Sequence, residues 1–157
     1  MKFDATYIGP NPLGDIMEVL SEMVDGSEGE CSLTWGAEPG MLLLEICLNK
    51  EIAHLVVKES DDLWSRNPNK DSAGWTNRIE ANLDFYSFVD VVIKEAERNL
   101  RLHGITGFSD DWMNHIDVFP MSAYLKLKGI RSEFKKGEDY RKSSPLKEEL
   151  QLLQQLL

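Results

Sequence analysis

"MLLLEICLNKEIAHLVVK", residues 41–58, decides the fold. Two apolar runs flank Asn49-Lys50, and asparagine tolerates the positive φ that a two-residue hairpin loop requires. With that loop, Leu48 faces Glu51, Ile46 faces Ala53, Leu44 faces Leu55 and Leu42 faces Val57. One face is then nearly all apolar and belongs to a core. The other carries Leu43, Cys47, Ile52 and Val56 with Glu45 opposite His54, and a face that is half apolar calls for partial cover.

Upstream, "CSLTW" alternates Cys31, Leu33 and Trp35 with Ser32 and Thr34, which reads as a third strand, and Pro39-Gly40 suit a tight turn. Before it, "PLGDIMEVLSEMVDG" sets Leu13, Ile16, Met17, Leu20, Met23 and Val24 at helical spacing, with Asp15, Glu18 and Glu22 outward. This predicts a helix that ends before Gly26. Downstream, residues 59–78 are rich in turn formers and read as a long loop containing Trp64 and Trp75. A helix follows, with Phe85, Phe88, Val89, Val92, Ala96 and Leu100 on one stripe, Asp84 as its cap and His103-Gly104 as its end.

"FPMSAYLKLKG", from Phe119, reads as a last strand or a short helix. The tail is an amphipathic helix over 145–157, with Ser144 as N-cap and Pro145 at its first position. Leu146, Leu150, Leu153 and Leu157 form one line, with Leu152 and Leu156 beside it. A helix this short is marginal alone, so it must dock, either on its own domain or across a homodimer. The expected fold is a single α+β domain over 1–157. A hairpin-based antiparallel sheet of three or more strands carries its helices mainly on one face.

The net charge is −10, and it is not evenly spread. Through Trp64 there are 13 acids and 3 bases, and beyond it 14 of each. Such a distribution repels nucleic acid and anionic membrane and attracts basic partners. No apolar run is long enough to cross a bilayer, and "MKFDATYIG" is followed by no apolar signal segment, so the chain is expected in the cytoplasm. Cys31 and Cys47 fall in strands and match no zinc spacing, so they are expected to stay reduced.

Three groups of residues are candidates for chemistry. In "DDWMNHID", Asp111 and His115 are four apart and would share a helix face, but two ligands do not make a metal site. Ser109, Asp110 and Asp111 read instead as the capped start of a short helix, with Trp112 and Ile116 packed inward. Glu45 with His54 is an ordinary cross-strand pair without a nucleophile or metal beside it. Trp64, framed by Asp61 and Asp62, suits a partner anchor, and both loop tryptophans suit a cover for the half-apolar sheet face. No phosphate loop, nucleophile elbow or zinc-protease motif occurs, so neither a catalytic residue, a metal site nor a cofactor is assigned.

In size, acidity and lack of a catalytic signature, the chain resembles the small bacterial inhibitor and immunity proteins that neutralise a basic toxin domain. That resemblance is one of type and assigns no residue. The expectation is therefore a non-catalytic acidic binding protein that meets a basic protein partner through Glu18, Glu22, Asp61, Asp62 and Trp64. The alternative is a small enzyme or ligand-binding domain with a pocket around His115, Asp111 and the loop tryptophans.

Overall fold

The computed structural model describes residues 11–26, 28–37, 40–60, 74–111, 119–130, 133–135, 138–143 and 144–156. Helix α1 (Pro12–Met23) begins where Asn11 accepts the Gly14 N–H through its side chain at 3.1 Å, with Pro12 in the first turn. Its apolar stripe buries Met17, Leu20 and Met23, while Glu18 and Glu22 stay exposed. Strands β1 (Glu28–Ala37), β2 (Gly40–Asn49), β3 (Ile52–Ser60) and β4 (Trp75–Asp84) pair in chain order as an antiparallel meander.

The β2–β3 loop is Lys50-Glu51, one position later than the sequence suggests. Asn49 pairs with Ile52, Leu48 with Ala53, Ile46 with Leu55 and Leu44 with Val57. Lys50 itself adopts the left-handed conformation, with φ 57°. Because both strands slide together, every pairing changes by two residues and no side chain changes face. Of the expected core face, Leu42, Leu44, Ile46 and Leu55 are buried and Val57 is only partly buried against the core, and Glu45 lies opposite Val56 rather than His54.

The stretch read as a loop over 59–78 is also corrected at both ends, since Glu59 and Ser60 complete β3 and Trp75 opens β4. This fourth strand is an edge strand, largely exposed, with Ile79 and Leu83 on the core side but little covered. A bulge near Lys58 breaks its register with β3.

Helix α2 (Phe85–Asp111) starts at Asp84, whose carboxylate accepts the Ser87 N–H at 2.7 Å. The Phe85 N–H is donated to the Glu51 carbonyl at 2.8 Å, tying the helix start to the hairpin loop. Phe85, Val89, Val92, Ala96 and Leu100 are buried. Gly104, at φ 68° and ψ −179°, kinks the helix where an end was expected, and helical structure then resumes through Asp111. Ser109 to Asp111 are thus the last turn of a helix and not the capped start of one.

Residues 119–129 form helix α3 (Met121–Leu127) after Pro120, not a strand. Phe108, Phe119 and Tyr124 stack edge to face where α2 and α3 meet. A small hairpin, β5 (Glu133–Lys135) and β6 (Glu138–Ser143), precedes helix α4 (Leu146–Gln154). Pro145 rather than Ser144 occupies the N-cap of α4. The four helices share one core with one face of the sheet, an α+β arrangement. Among the described residues no helix is long and apolar enough to cross a membrane.

The docked leucines of α4 also differ from the expected line. Leu152, Leu153 and Leu156 pack against the core, whereas Leu146 and Leu150 are 63% and 51% exposed. Leu157 lies outside the described residues. Amphipathic spacing identifies the apolar sector of a helix, but the neighbouring surface decides which part of that sector is covered.

Candidate functional site: the open face of the sheet

The sheet face away from the helices is shaped by period-2 alternation, which sends Glu30, Glu45, Cys47, His54, Val56, Lys58, Glu80 and Asn82 to one side. Register aligns four of these in one row across the sheet: Glu30 opposite Cys47, Cys47 opposite His54, and His54 opposite Asn82. Two adjoining depressions, of about 420 and 840 Å³, share Cys47 and His54 in their lining. The floor is partly apolar. Val56 is buried, while Ile52 is half exposed.

The polar contacts run outward from the centre of the row. The Cys47 thiol points to the Glu30 carboxylate at 3.7 Å. His54 Nδ1 lies 3.0 Å from the Asn82 side-chain oxygen, and its Nε2 lies 3.7 Å from the Glu80 carboxylate. With the proton on Nδ1, imidazole donates to Asn82. Lys58 Nζ is 2.6 Å from Glu45. A thiol, an imidazole and a carboxamide are the components of a cysteine-nucleophile site, but that chemistry needs the imidazole to take the thiol proton. Here the thiol turns toward β1 and the ring toward β4, and no hydrogen bond joins them. The thiol's neighbour is an anion, whereas reactive cysteines sit beside cations. The arrangement is suited to contact through carboxylates and not to nucleophilic attack.

The second cysteine lies on the core side of β1. Burial, and then the nearby Glu22 carboxylate, push the Cys31 thiol above its ordinary value. Both cysteines are free. Among the described residues no group of three or more His, Cys, Asp or Glu side chains is arranged to hold a metal ion.

The residues singled out from the sequence are not gathered together. Glu18 and Glu22 stand exposed on α1, in the helix layer, and so lie away from the open sheet face. Asp61, Asp62, Trp64 and His115 lie outside the described residues, as does the side chain of Asp111. Trp75 pairs with Ser60 at the far end of the sheet, and its buried Nε1 has no hydrogen-bond partner. Ser60 alternates with His54 and Val56, so Trp75 stands on the same side of the sheet as they do, at the start of β4 and not in a loop. The row through Cys47 and His54 was missed. With the loop one position early, Cys47 falls opposite Ile52, and without β4 there is no Asn82. The alternation Ile79, Ala81, Leu83 was the signal available for that strand.

No family model, curated protein or solved structure matches this chain.

Proposed function

We propose that the protein is a non-catalytic, cytoplasmic acidic binding protein of the inhibitor or immunity type, which neutralises a basic protein partner. The observation that carries this reading is the charge on the open sheet face. Glu28, Glu30, Glu45 and Glu80 stand there against Lys58, which is paired with Glu45, and Lys50, which lines the larger depression together with Glu51. Exposed Glu18 and Glu22 form a second acidic group, on α1 in the helix layer. Carboxylates on a surface with a partly apolar floor suit a cationic protein patch, which gains both charge pairing and apolar burial. Asp61, Asp62 and Trp64 are proposed to extend the contact, with Trp64 as its anchor.

The test is capture of the partner from the source cell, then association kinetics against ionic strength. Exposed charges are screened over about 10 Å at 0.1 M salt, so the association rate should fall steeply as salt rises. Neutralising Glu30, Glu45 and Glu80 together, or Glu18, Glu22, Asp61 and Asp62 together, should slow association severalfold. Alkylation of Cys47 should be blocked in the complex while that of Cys31 is unchanged. A rate indifferent to salt and to both sets of substitutions would sink the proposal.

A further inference from the structure

Strand β4 forms one edge of the sheet, and among the described residues no strand pairs with its outer side. The other edge, β1, has α1 packed against it, whereas β4 is exposed along most of its length. The bond from the Phe85 N–H to the Glu51 carbonyl sets the phase of the β3–β4 ladder, because antiparallel pairs alternate between bonded and unbonded. Leu83 opposite Ala53 and Ala81 opposite Leu55 therefore turn their backbone groups to β3, and Asn82 and Glu80 turn theirs outward. Beyond Ile79 the bulge breaks this alternation, so the regular edge is residues 79–83. Its two sides differ in chemistry. On the core side Ile79 and Leu83 are 39% and 37% exposed. On the open side stand Asn82 and Glu80, and the Glu80 side chain is 58% exposed.

We propose that β4 receives an extended segment of the basic partner as an antiparallel fifth strand, in which basic residues alternate with apolar ones. The inference rests on the acidic binding function proposed above and names its mode of contact. Residues of the segment opposite Glu80 and Asn82 exchange main-chain hydrogen bonds with them. In strand addition such bonds supply affinity, and alternate side chains supply specificity. The segment's apolar residues fall opposite Ile79, Ala81 and Leu83 and continue the apolar layer over the part that the helices leave bare. Its basic residue falls opposite Glu80, and opposite charges on facing strands attract. A second copy of β4 does not meet these terms. The one cation of the strand, Arg78, lies at the bulge and is paired with Glu59. A second copy paired over 79–83 therefore brings Glu80 no cation, and it adds a second net charge of −10.

Titration of the isotope-labelled full chain with the peptide Val-Lys-Val-Lys-Val-Lys-Val, followed by NMR, tests it. Amide shifts should be largest at Glu80 and Asn82, and the counterpart with glutamate in place of lysine should bind about tenfold more weakly. Methylating the lysine backbone nitrogens, which face β4, should abolish binding, and methylating the valine nitrogens should spare it. Asn82→Pro removes an outward N–H, a change that an edge strand tolerates, and should weaken binding about tenfold, as expected for a lost hydrogen bond. Asn82→Ala keeps that N–H and should bind like the wild type. Glu80→Lys should reverse the preference between the two peptides. Where proline perturbs the circular dichroism spectrum, the methylated peptides read the same contact. Shifts absent from residues 79–83, equal behaviour of the two methylated peptides, or a wild-type dimer that Asn82→Pro dissociates would overturn the proposal. An identified partner that binds with a salt-dependent rate but is indifferent to Asn82→Pro would also end it, while leaving the acidic binding function standing.

Discussion

Trp35 on β1 donates its indole N–H to the Asp15 carboxylate on α1 at 2.8 Å, joining the first helix to the edge of the sheet. The ring is buried at 8% exposure, so its N–H has no ready water to replace the carboxylate. Removing one partner of such a bond costs about 1–3 kcal/mol. Asp15→Ala should lower unfolding stability by that amount in urea titration, and Trp35→Phe with Asp15→Ala should cost less than the two singles added.

The corrected register predicts a sharp contrast between two isoleucines on adjacent strands. Ile46 is 1% exposed on the core face, and Ile52 is 50% exposed on the other. Truncating a buried isoleucine costs about 2–5 kcal/mol, so Ile46→Ala should be severely destabilised. Ile52→Ala should stay within about 0.5 kcal/mol of wild type. Equal losses in denaturant titration would mean that the faces are misassigned.

Lys50 holds φ 57° at the tip of the β2–β3 hairpin. Glycine adopts this conformation without steric cost, and it is favoured at the first of two loop positions when that position has positive φ. Lys50→Gly should therefore raise stability by roughly 0.5–1 kcal/mol, offset in part by the extra freedom of the unfolded chain. A lowered Tm would show that the lysine side chain makes a contact of its own.

Glu97 on α2 is clamped by α3: the Tyr124 hydroxyl at 3.2 Å and Lys128 Nζ at 3.1 Å both donate to it, with Arg101 at 3.5 Å. Burial alone would raise its carboxyl, but the bond and charge of Lys128, the Tyr124 hydroxyl and the Arg101 charge outweigh it and leave it lowered. Tyr124 is pushed far upward, first by burial and then by the Glu97 charge and hydrogen bond, and stays protonated as the donor. A depressed carboxyl adds stability that is complete above its ordinary value of 4.5 and is lost as pH falls through the lower folded value. Glu97→Gln should cost about 1–2 kcal/mol at neutral pH, and the gap to wild type should close on acidification. A gap independent of pH would refute the clamp.

Reading the sequence recovered the elements whose burial imposes a period. Met17 and Leu20 on α1, Leu44 and Ile46 on β2, and Val89 and Ala96 on α2 repeat at the spacing of the face they bury. β4 escaped because an exposed edge strand leaves its polar residues unselected, so Ile79, Ala81 and Leu83 stand out little from Asn77 and Asn82. The loop at Lys50 was misplaced because a left-handed lysine is rare and the sequence marks Asn49 more plainly. The row through Cys47 and His54 depends on both of these features, and a site assembled across strands has no local motif. Charge segregation was legible from counting alone. How it divides between α1 and the open sheet face depended on knowing which way each strand faces.

Helix α1 packs chiefly against α3, although about a hundred residues separate them in the chain. Every pairing in the four-stranded sheet, by contrast, joins strands that follow one another. The meander can close early, by short-range steps. The first helix has only β1 beside it until α2 and α3 have been made. On the ribosome, Met17, Leu20 and Met23 should therefore wait with their apolar side incompletely covered until α3 arrives against a helix synthesised first. Truncations ending before Met121 should keep the sheet but bind chaperones through α1, and the full chain should release them.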